Sequence, residues 1–403
     1  MDNRKDMNTD FKMSPAYIVM MFGMLIAACC ISGAQPPDLI SKMTDRADLA
    51  NMDLMQMDLS GMQLNQSNIS GANLSGSNLS GTFMRSAWLM NSRLQGTKMV
   101  KAELTAAVLS GANLSGADLS QSVLSNSIAP KVNLSGAILR MADLTEADLS
   151  DSNLEDADLT DARLFRTDLT GANLKGIYLM GANMIGAHVS WADLSRSYLS
   201  KGQFSRSELY STDLHGADLS EADFTRAYLM SANLAGANLK WTSLSYADLT
   251  EAKLMQANMN SAKMSFADLS RANLTGADLS DADLTAARLT GSILRKARFD
   301  RTRLSEMDLR GVDLTDASFR GSNLDQIYLA NSKMNGADLR DATLYRVEMT
   351  DVDLTGANLE RIKYDQFTLY SLSNANMDGA KISDDLKADL SSIKKDALPE
   401  SSQ

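Results

Sequence analysis

Two histidines, two cysteines and five prolines in 403 residues leave little of the usual chemical equipment. Cys29 and Cys30 both lie near the N-terminus, so the rest of the chain can form neither a disulfide nor a thiolate metal site. His188 and His215 stand far apart. Without an imidazole or thiol beside them, the abundant Ser and Asp have no partner that would make a nucleophile. Carboxylates recur so evenly that no pair stands out as an acid/base couple. No glycine-rich phosphate loop is present. These absences point away from an enzyme, and the expectation is no catalytic residue, no cofactor and no metal. Positive charge is also short: 39 Lys and Arg against 50 Asp and Glu leave a formal net charge of −11. That balance speaks against a nucleic-acid partner, which needs a basic surface.

Long apolar runs are missing except for one, Ala16–Ile31, "AYIVMMFGMLIAACCI". At about 16 residues it is short for a membrane span and suits the apolar part of a secretory signal. Arg4, Lys5 and Lys12 precede it, but Asp2, Asp6 and Asp10 offset them. "Ile26-Ala27-Ala28-Cys29" resembles a bacterial lipoprotein processing site, with Cys29 as the lipid-bearing residue. Cleavage after Ala34, or retention as an uncleaved anchor, are the alternatives. Each route delivers the chain to the bacterial cell envelope, on the periplasmic side, with the membrane as one partner through this N-terminal segment.

What is present in abundance is a period of five. From Leu49 to Leu369 in steps of five there are 65 positions, and only Ala129 and Tyr364 are not Leu, Ile, Val, Met or Phe. Two residues before each runs a second column, mostly Ala, Ser or Thr, with no charged member. On an α-helix, steps of five scatter around the axis, so no apolar stripe forms. On a strand, residues two apart share a face, so the apolar centre and its small companion point the same way. The next small residue has the wrong parity. The chain must therefore turn after every short extended piece and wind into a coil with both columns inside.

A second period gives the coil size. The third residue of each turn is Gly at 76, 96, 116, 136, 176, 216, 236, 276, 336 and 356, all twenty or a multiple of twenty apart. Phe replaces the apolar centre four times, in two pairs twenty apart: Phe204 with Phe224 and Phe299 with Phe319. Like stacks over like when one coil holds twenty residues and four sides.

The units "Ala-Asp-Leu-Ser-x" and "Ala-Asn-Leu-x-Gly", repeated from Ala47 to Leu369, resemble the pentapeptide-repeat family. The resemblance implies an all-β fold, a right-handed quadrilateral β-helix of about 16 coils of 20 residues. A stacked coil needs closed ends. Pro36–Met43 is a candidate N-terminal cap. Tyr364–Thr368 is similar to segments that close other members, and Met377 and Ile382 read as centres three residues out of phase, implying a small insertion. Beyond them Ser383 can cap a helix carrying Leu386, Leu390, Ile393 and Ala397 on one face, stopped by Pro399. The expected organisation is a signal peptide or anchor over 1–34, a linker and cap over 35–46, the repeat over 47–369, an irregular last coil over 370–382 and a short C-terminal capping helix and tail over 383–403. In some relatives such a helix also pairs two copies, so a homodimer through it is among the expectations. Pro130 beside the small centre Ala129 predicts either a bulge or underfilled spot over 128–131, or a harmless corner.

Outward residues supply the functional candidates. The four walls are named by their centres, Leu49, Leu54, Leu59 and Leu64. The Leu54 wall bears no outward aromatic, whereas the Leu49 wall bears Trp88, Trp191, Tyr210, Tyr228, Tyr328 and Tyr370, the adjoining Leu64 wall bears Phe83, Phe165, Tyr246, Phe266 and Tyr345, and the Leu59 wall bears Tyr178, Tyr198 and Trp241. Aromatic anchors on a small polar surface are where a partner binds. The candidate partner-binding residues are Trp88, His188, Trp191, Tyr210, Tyr228 and Met230. An acidic belt over 143–161 and a basic run over 288–303 are further candidates for docking bands. The leading functional expectation is a non-enzymatic, exported and membrane-anchored scaffold for a protein partner. Its alternative is a DNA-mimicking pentapeptide-repeat protein that binds or protects a topoisomerase.

Overall fold

The computed structural model describes residues 43–393. The segment with Cys29, the cap residues before Met43, and Ala397 and Pro399 lie outside the described residues. Among the described residues no helix is long and apolar enough to cross a membrane.

The chain is a stack of twenty-residue coils. Asn113 bridges Asn133 and Asn133 bridges Asn153, in parallel, and the same relation recurs from Asp48–Asn68 to Asp338–Asn358. Leu114, Leu134 and Leu154 therefore stand one above another, and all three are buried. Every coil contains four extended pieces separated by turns.

Each letter of the five-residue unit has a physical task. The centre fills the axis, and Leu54, Leu114 and Leu254 are typical in being sealed from solvent. The Ala, Ser or Thr two residues earlier is also buried. Its hydroxyl, where present, reaches a backbone carbonyl: Thr82 Oγ1 donates to Leu79 O (2.7 Å) and Ser77 Oγ to Leu54 O (2.7 Å). The outward Asp or Asn just before the centre receives the N–H of the residue just after it, as in Ser120 N to Asp118 Oδ1 (3.0 Å). The Ser or Thr at that turn position adds its own hydroxyl, 2.6 Å from the same Asp118 oxygen. The last residue of the turn is left-handed: every fifth residue from Arg46 to Arg361 has φ between 53° and 70°. Glycine takes that conformation without a Cβ clash, which explains the glycine column.

Backbone donors are paired in a fixed scheme. Leu114 N donates to Asn133 O in the next coil, Asn113 N to Ser92 O in the previous coil, and Ala117 N back to Leu114 O within its own coil. Gly116 N donates to Ser135 O. Only the first turn residue has no backbone acceptor, and its N–H is the one the Asp or Asn side chain collects.

That scheme decides the Pro130 question. Pro130 stands at this first turn position, where no ladder donor is lost. Ala129 N still donates to Asp148 O (2.8 Å), Lys131 N to Ser150 O (2.9 Å), and Ile128 bridges Val108 and Asp148. The ladder passes through with no bulge.

The inner Phe pairs stack as expected. The rings of Phe204 and Phe224 lie 4.5 Å apart at 3°, and those of Phe299 and Phe319 lie 5.0 Å apart at 6°. One rung is missing from the Leu49 wall: among the described residues Arg288 does not bridge Asp308, although Asp268–Arg288 and Asp308–Tyr328 are bridged.

At the C-terminal end the pairing closes in short strands. β1 (Thr343–Leu344) pairs with β3 (Lys363–Tyr364), and β2 (Asn358–Leu359) with β4 (Lys381–Ile382). Leu359 faces Ile382, 23 positions on, and Asp353 bridges Asn376. The three-residue offset read for Met377 and Ile382 is thus present. Leu369 is a correction. It keeps the phase of five, yet it lies in helix α1 (Gln366–Leu372), capped by Asp365 Oδ1 accepting Thr368 N at 2.8 Å. Tyr370 belongs to the same helix and not to the Leu49 wall. The helix serves the open edge of the last coil: Val347 N donates to Thr368 Oγ1 (3.0 Å) and Met349 N to Ser371 Oγ (2.5 Å). Helix α2 (Asp384–Ser392) follows, capped by Ser383, with Leu386 buried and Leu390 and Ile393 partly buried against the core.

Candidate functional site

From Trp88 to Asp248 the Leu49 wall is an unbroken ladder of outward residues. Trp88, Val108, Ile128, Asp148, Asp168, His188, Glu208, Tyr228 and Asp248 bridge in that order, one per coil. A strand spacing of about 4.8 Å puts Trp88 about 24 Å from His188. The six candidates therefore do not form one cluster.

Trp88 heads an apolar stripe. Trp88 is 50% exposed and Ile128 49%, with Val108 between them and the exposed Met90 beside them. Val108 and Ile128 were not among the sequence candidates. The signal was available, since both lie at multiples of twenty from Trp88.

His188, Tyr210, Tyr228 and Met230 do come together. His188 Nδ1 lies 3.0 Å from Glu208 Oε2. The Tyr210 ring stacks on that of Tyr228, 5.9 Å away at 28°. Burial raises the Tyr210 pKa, and the nearby Glu208 carboxylate adds to it. Both effects keep the phenol neutral and able to donate a hydrogen bond. Met230 is fixed by its carbonyl, which accepts Ser211 N at 3.0 Å. Glu208 is the member that sequence reasoning missed, again one coil from His188.

Trp191 stands apart at the corner toward the Leu54 wall. It has φ 60° and is 67% exposed, and its N–H donates to Tyr210 O (2.9 Å). It borders a shallow depression of about 330 Å³ together with Glu155, Gly171, Asn173, Lys175 and Asp193.

Part of each charge band is paired between coils. Arg140 reaches Asp158 (2.5 Å), Arg163 reaches Asp143 (3.9 Å) and Arg166 reaches Glu146 (3.9 Å), all within or beside the acidic belt. In the basic run Arg288 pairs with Asp268 (3.2 Å), Arg301 with Asp281 (2.7 Å) and Arg298 with Asp278 (3.5 Å). The sequence shows runs of one sign, and the coil pairs part of each with the opposite sign one level away, while Asp148 stands over Asp168. His215 sits on the Leu54 wall, 2.9 Å from Asp213. Burial pushes the Asp213 pKa up, but hydrogen bonds from the His215 backbone and ring outweigh it and leave the carboxyl below its ordinary value. Among the described residues no group of His, Cys, Asp or Glu could hold a metal ion.

No curated protein matches the chain. Among solved structures it is similar to HetL, a pentapeptide repeat protein involved in heterocyst differentiation regulation from the cyanobacterium Nostoc sp. strain PCC 7120. That match has 32% identity, covers 63% of this chain and 91% of that one, and has a TM-score of 0.22. QnrB1, a plasmid-mediated fluoroquinolone resistance protein, matches at 16% identity over 53% of this chain and 93% of that one, with a TM-score of 0.34. A pentapeptide repeat protein from the Arabidopsis thaliana thylakoid lumen matches at 21% identity over 34% of this chain and 79% of that one, with a TM-score of 0.16. The family model for pentapeptide repeats matches ten stretches between residues 45 and 361. With the same unit visible in every coil, the chain belongs to the pentapeptide-repeat family.

Proposed function

We propose that the chain is a non-enzymatic scaffold that presents the Leu49 wall to a protein partner. In this reading it is a right-handed four-sided rod of about sixteen coils, roughly 75–80 Å long at strand spacing. It is exported to the bacterial cell envelope and held at the membrane through a lipid on Cys29. The observation that carries the reading is the contrast between walls. On the Leu54 wall the outward groups bond one another, as Asn73 Nδ2 does with Asp53 (3.2 Å) and Asn233 Nδ2 with Asp213 (2.9 Å). The Leu49 wall has such ties too, as between Asn68 Nδ2 and Asp48 (3.1 Å), but there, among the described residues, the exposed side chains of Trp88, Tyr228 and Met230 make no hydrogen bond. Exposed aromatic and methionine side chains are cheap to desolvate, and large flat ones give the most contact per ordered bond.

A photo-crosslinker placed at Met230, and separately at Asn233 on the Leu54 wall, tests this in cells. Adducts to a protein at 230 and not at 233 are expected. Equal labelling at both, or labelling only at 233, would sink the reading. Export and anchoring are tested apart from it, by palmitate labelling and fractionation of the wild type and Cys29→Ala. An unlabelled, cytosolic wild type would remove that half.

The alternative, a DNA mimic that binds or protects a topoisomerase, requires an unbroken anionic face. The pairing of Arg140, Arg163 and Arg166 into the acidic belt counts against it.

A further inference from the structure

The corner column between the Leu49 and Leu54 walls runs Asp151, Gly171, Trp191 in successive coils. Gly171 has no side chain, and it and Trp191 line one shallow depression. A Cβ built on Gly171 would come 2.7 Å from Asp151 Oδ1, so the carboxylate below leans into the space that a side chain would take. The depression of about 330 Å³ is bordered by Trp191 on one side and by Glu155, Asn173, Lys175 and Asp193 on the other.

The polar groups around it are mixed in kind and partly uncommitted. Asn173 is spent: its Nδ2 donates to Asn153 Oδ1 (3.0 Å) and to Glu155 Oε2 (3.3 Å), and its Oδ1 accepts Lys175 N (3.3 Å). Asp193 uses Oδ1 to accept Ser195 N (2.9 Å) and keeps Oδ2. Glu155 keeps Oε1. Among the described residues the Lys175 ammonium and the Trp191 indole N–H have no partner. The rim therefore offers two carboxylate acceptors and two donors beside an exposed indole face.

This set discriminates between ligand classes. A bare cation would meet Lys175, and an anion would meet Glu155 and Asp193. A hydroxyl both donates and accepts, so a row of hydroxyls can satisfy both kinds of group at once. The C–H face of a pyranose is weakly positive and lies on the negative face of an indole. We propose that this corner is a binding site for a neutral oligosaccharide, with Trp191 as the stacking platform, Glu155 and Asp193 accepting from sugar hydroxyls, and Lys175 donating to them. The site goes beyond the protein-docking reading and uses a different face of the rod.

The full chain carries three tryptophans, so Trp88→Phe with Trp241→Phe leaves Trp191 as the only tryptophan, excited selectively beyond the tyrosine absorption. Both replaced residues are exposed, and the melting temperature checks that the rod is intact. Chitotetraose, cellotetraose and maltotetraose are titrated one at a time. At least one should give a saturable change in Trp191 emission with Kd of about 0.1–10 mM. In the wild-type background, followed by ligand-observed NMR, Trp191→Ala should abolish binding, and Asp193→Asn and Lys175→Met should each weaken it about fivefold or more. No saturable response to any of the three at about 20 mM would overturn the proposal. So would affinity that survives all three substitutions, or a response to tetramethylammonium and to none of the sugars.

Discussion

The ring of Phe204 fills the space that a β-carbon on Gly202 would need. A Cβ built there would lie 2.6 Å from Phe204 Cε2 and 3.0 Å from Leu199 O. Gly202 is the small inner residue of its unit, a place otherwise held by Ala, Ser or Thr in the neighbouring coils, as at Ala182 and Ala222. Glycine and the larger ring are thus one substitution in two parts. Gly202→Ala should destabilise the rod by about 1–3 kcal/mol through overpacking. Adding Phe204→Leu should recover part of that loss, and a double-mutant cycle in urea should give a favourable coupling. Additive effects would show that the two sites do not share the space.

Proline tolerance should follow position within the five. Pro130 replaces an N–H that the backbone ladder never uses, so Pro130→Ser should shift stability by no more than about 1 kcal/mol. Three residues on, Asn133 N donates to Ala112 O at 3.0 Å. Asn133→Pro should cost about 3 kcal/mol or more by deleting that rung. Chemical unfolding of the two variants side by side checks the contrast.

The missing rung on the Leu49 wall should be visible to hydrogen exchange. Leu269 N donates to Arg288 O (2.7 Å), whereas among the described residues the amides of Leu289, Gly291 and Asp308 donate to no neighbour. Those three amides should exchange faster than the matching amides one coil earlier. Equal protection on both levels would mean that the wall is continuous in solution.

The C-terminal lid should loosen in alkali. Tyr364 OH donates to Asp389 on helix α2 at 2.7 Å, tying strand β3 to the helix. Burial first, then the Asp389 hydrogen bond, push the Tyr364 pKa up to about 12. An unfolded tyrosine titrates near 10. The folded state thus favours the neutral phenol. Its contribution is complete below pH ~10 and is lost as pH rises from there through about 12. Tyr364→Phe should cost about 1 kcal/mol near neutral pH and remove this alkaline step. Helix exchange rates against pH, in both proteins, provide the measurement.

Much of this molecule was legible in one dimension. The five-residue spacing alone says which side chains are inside, because helix and strand periods both conflict with it and only a coil that turns after each unit satisfies it. The glycine column and the Phe pairs supply the twenty-residue level. Even the offset of Met377 and Ile382 could be read, since a phase shift is a local fact. Leu369 could not be placed, because a buried leucine in helix α1 keeps the same step as a coil centre.

The surface was less legible. Trp88 and His188 share a wall in the sequence, yet only the stack shows that an acidic stretch at Asp148 and Asp168 separates them and that Glu208 completes the second group. The runs of acid and base looked like bands until the coils set Arg301 over Asp281. Trp191 stands at a corner where it borders a depression with Gly171, Lys175 and Asp193. What the sequence by itself determined is the inside of the rod, because packing along the axis depends only on which residue recurs at each fifth place. What the tertiary structure decided is the outside, because charge, stacking and access act between residues about twenty apart, and the fold sets those distances.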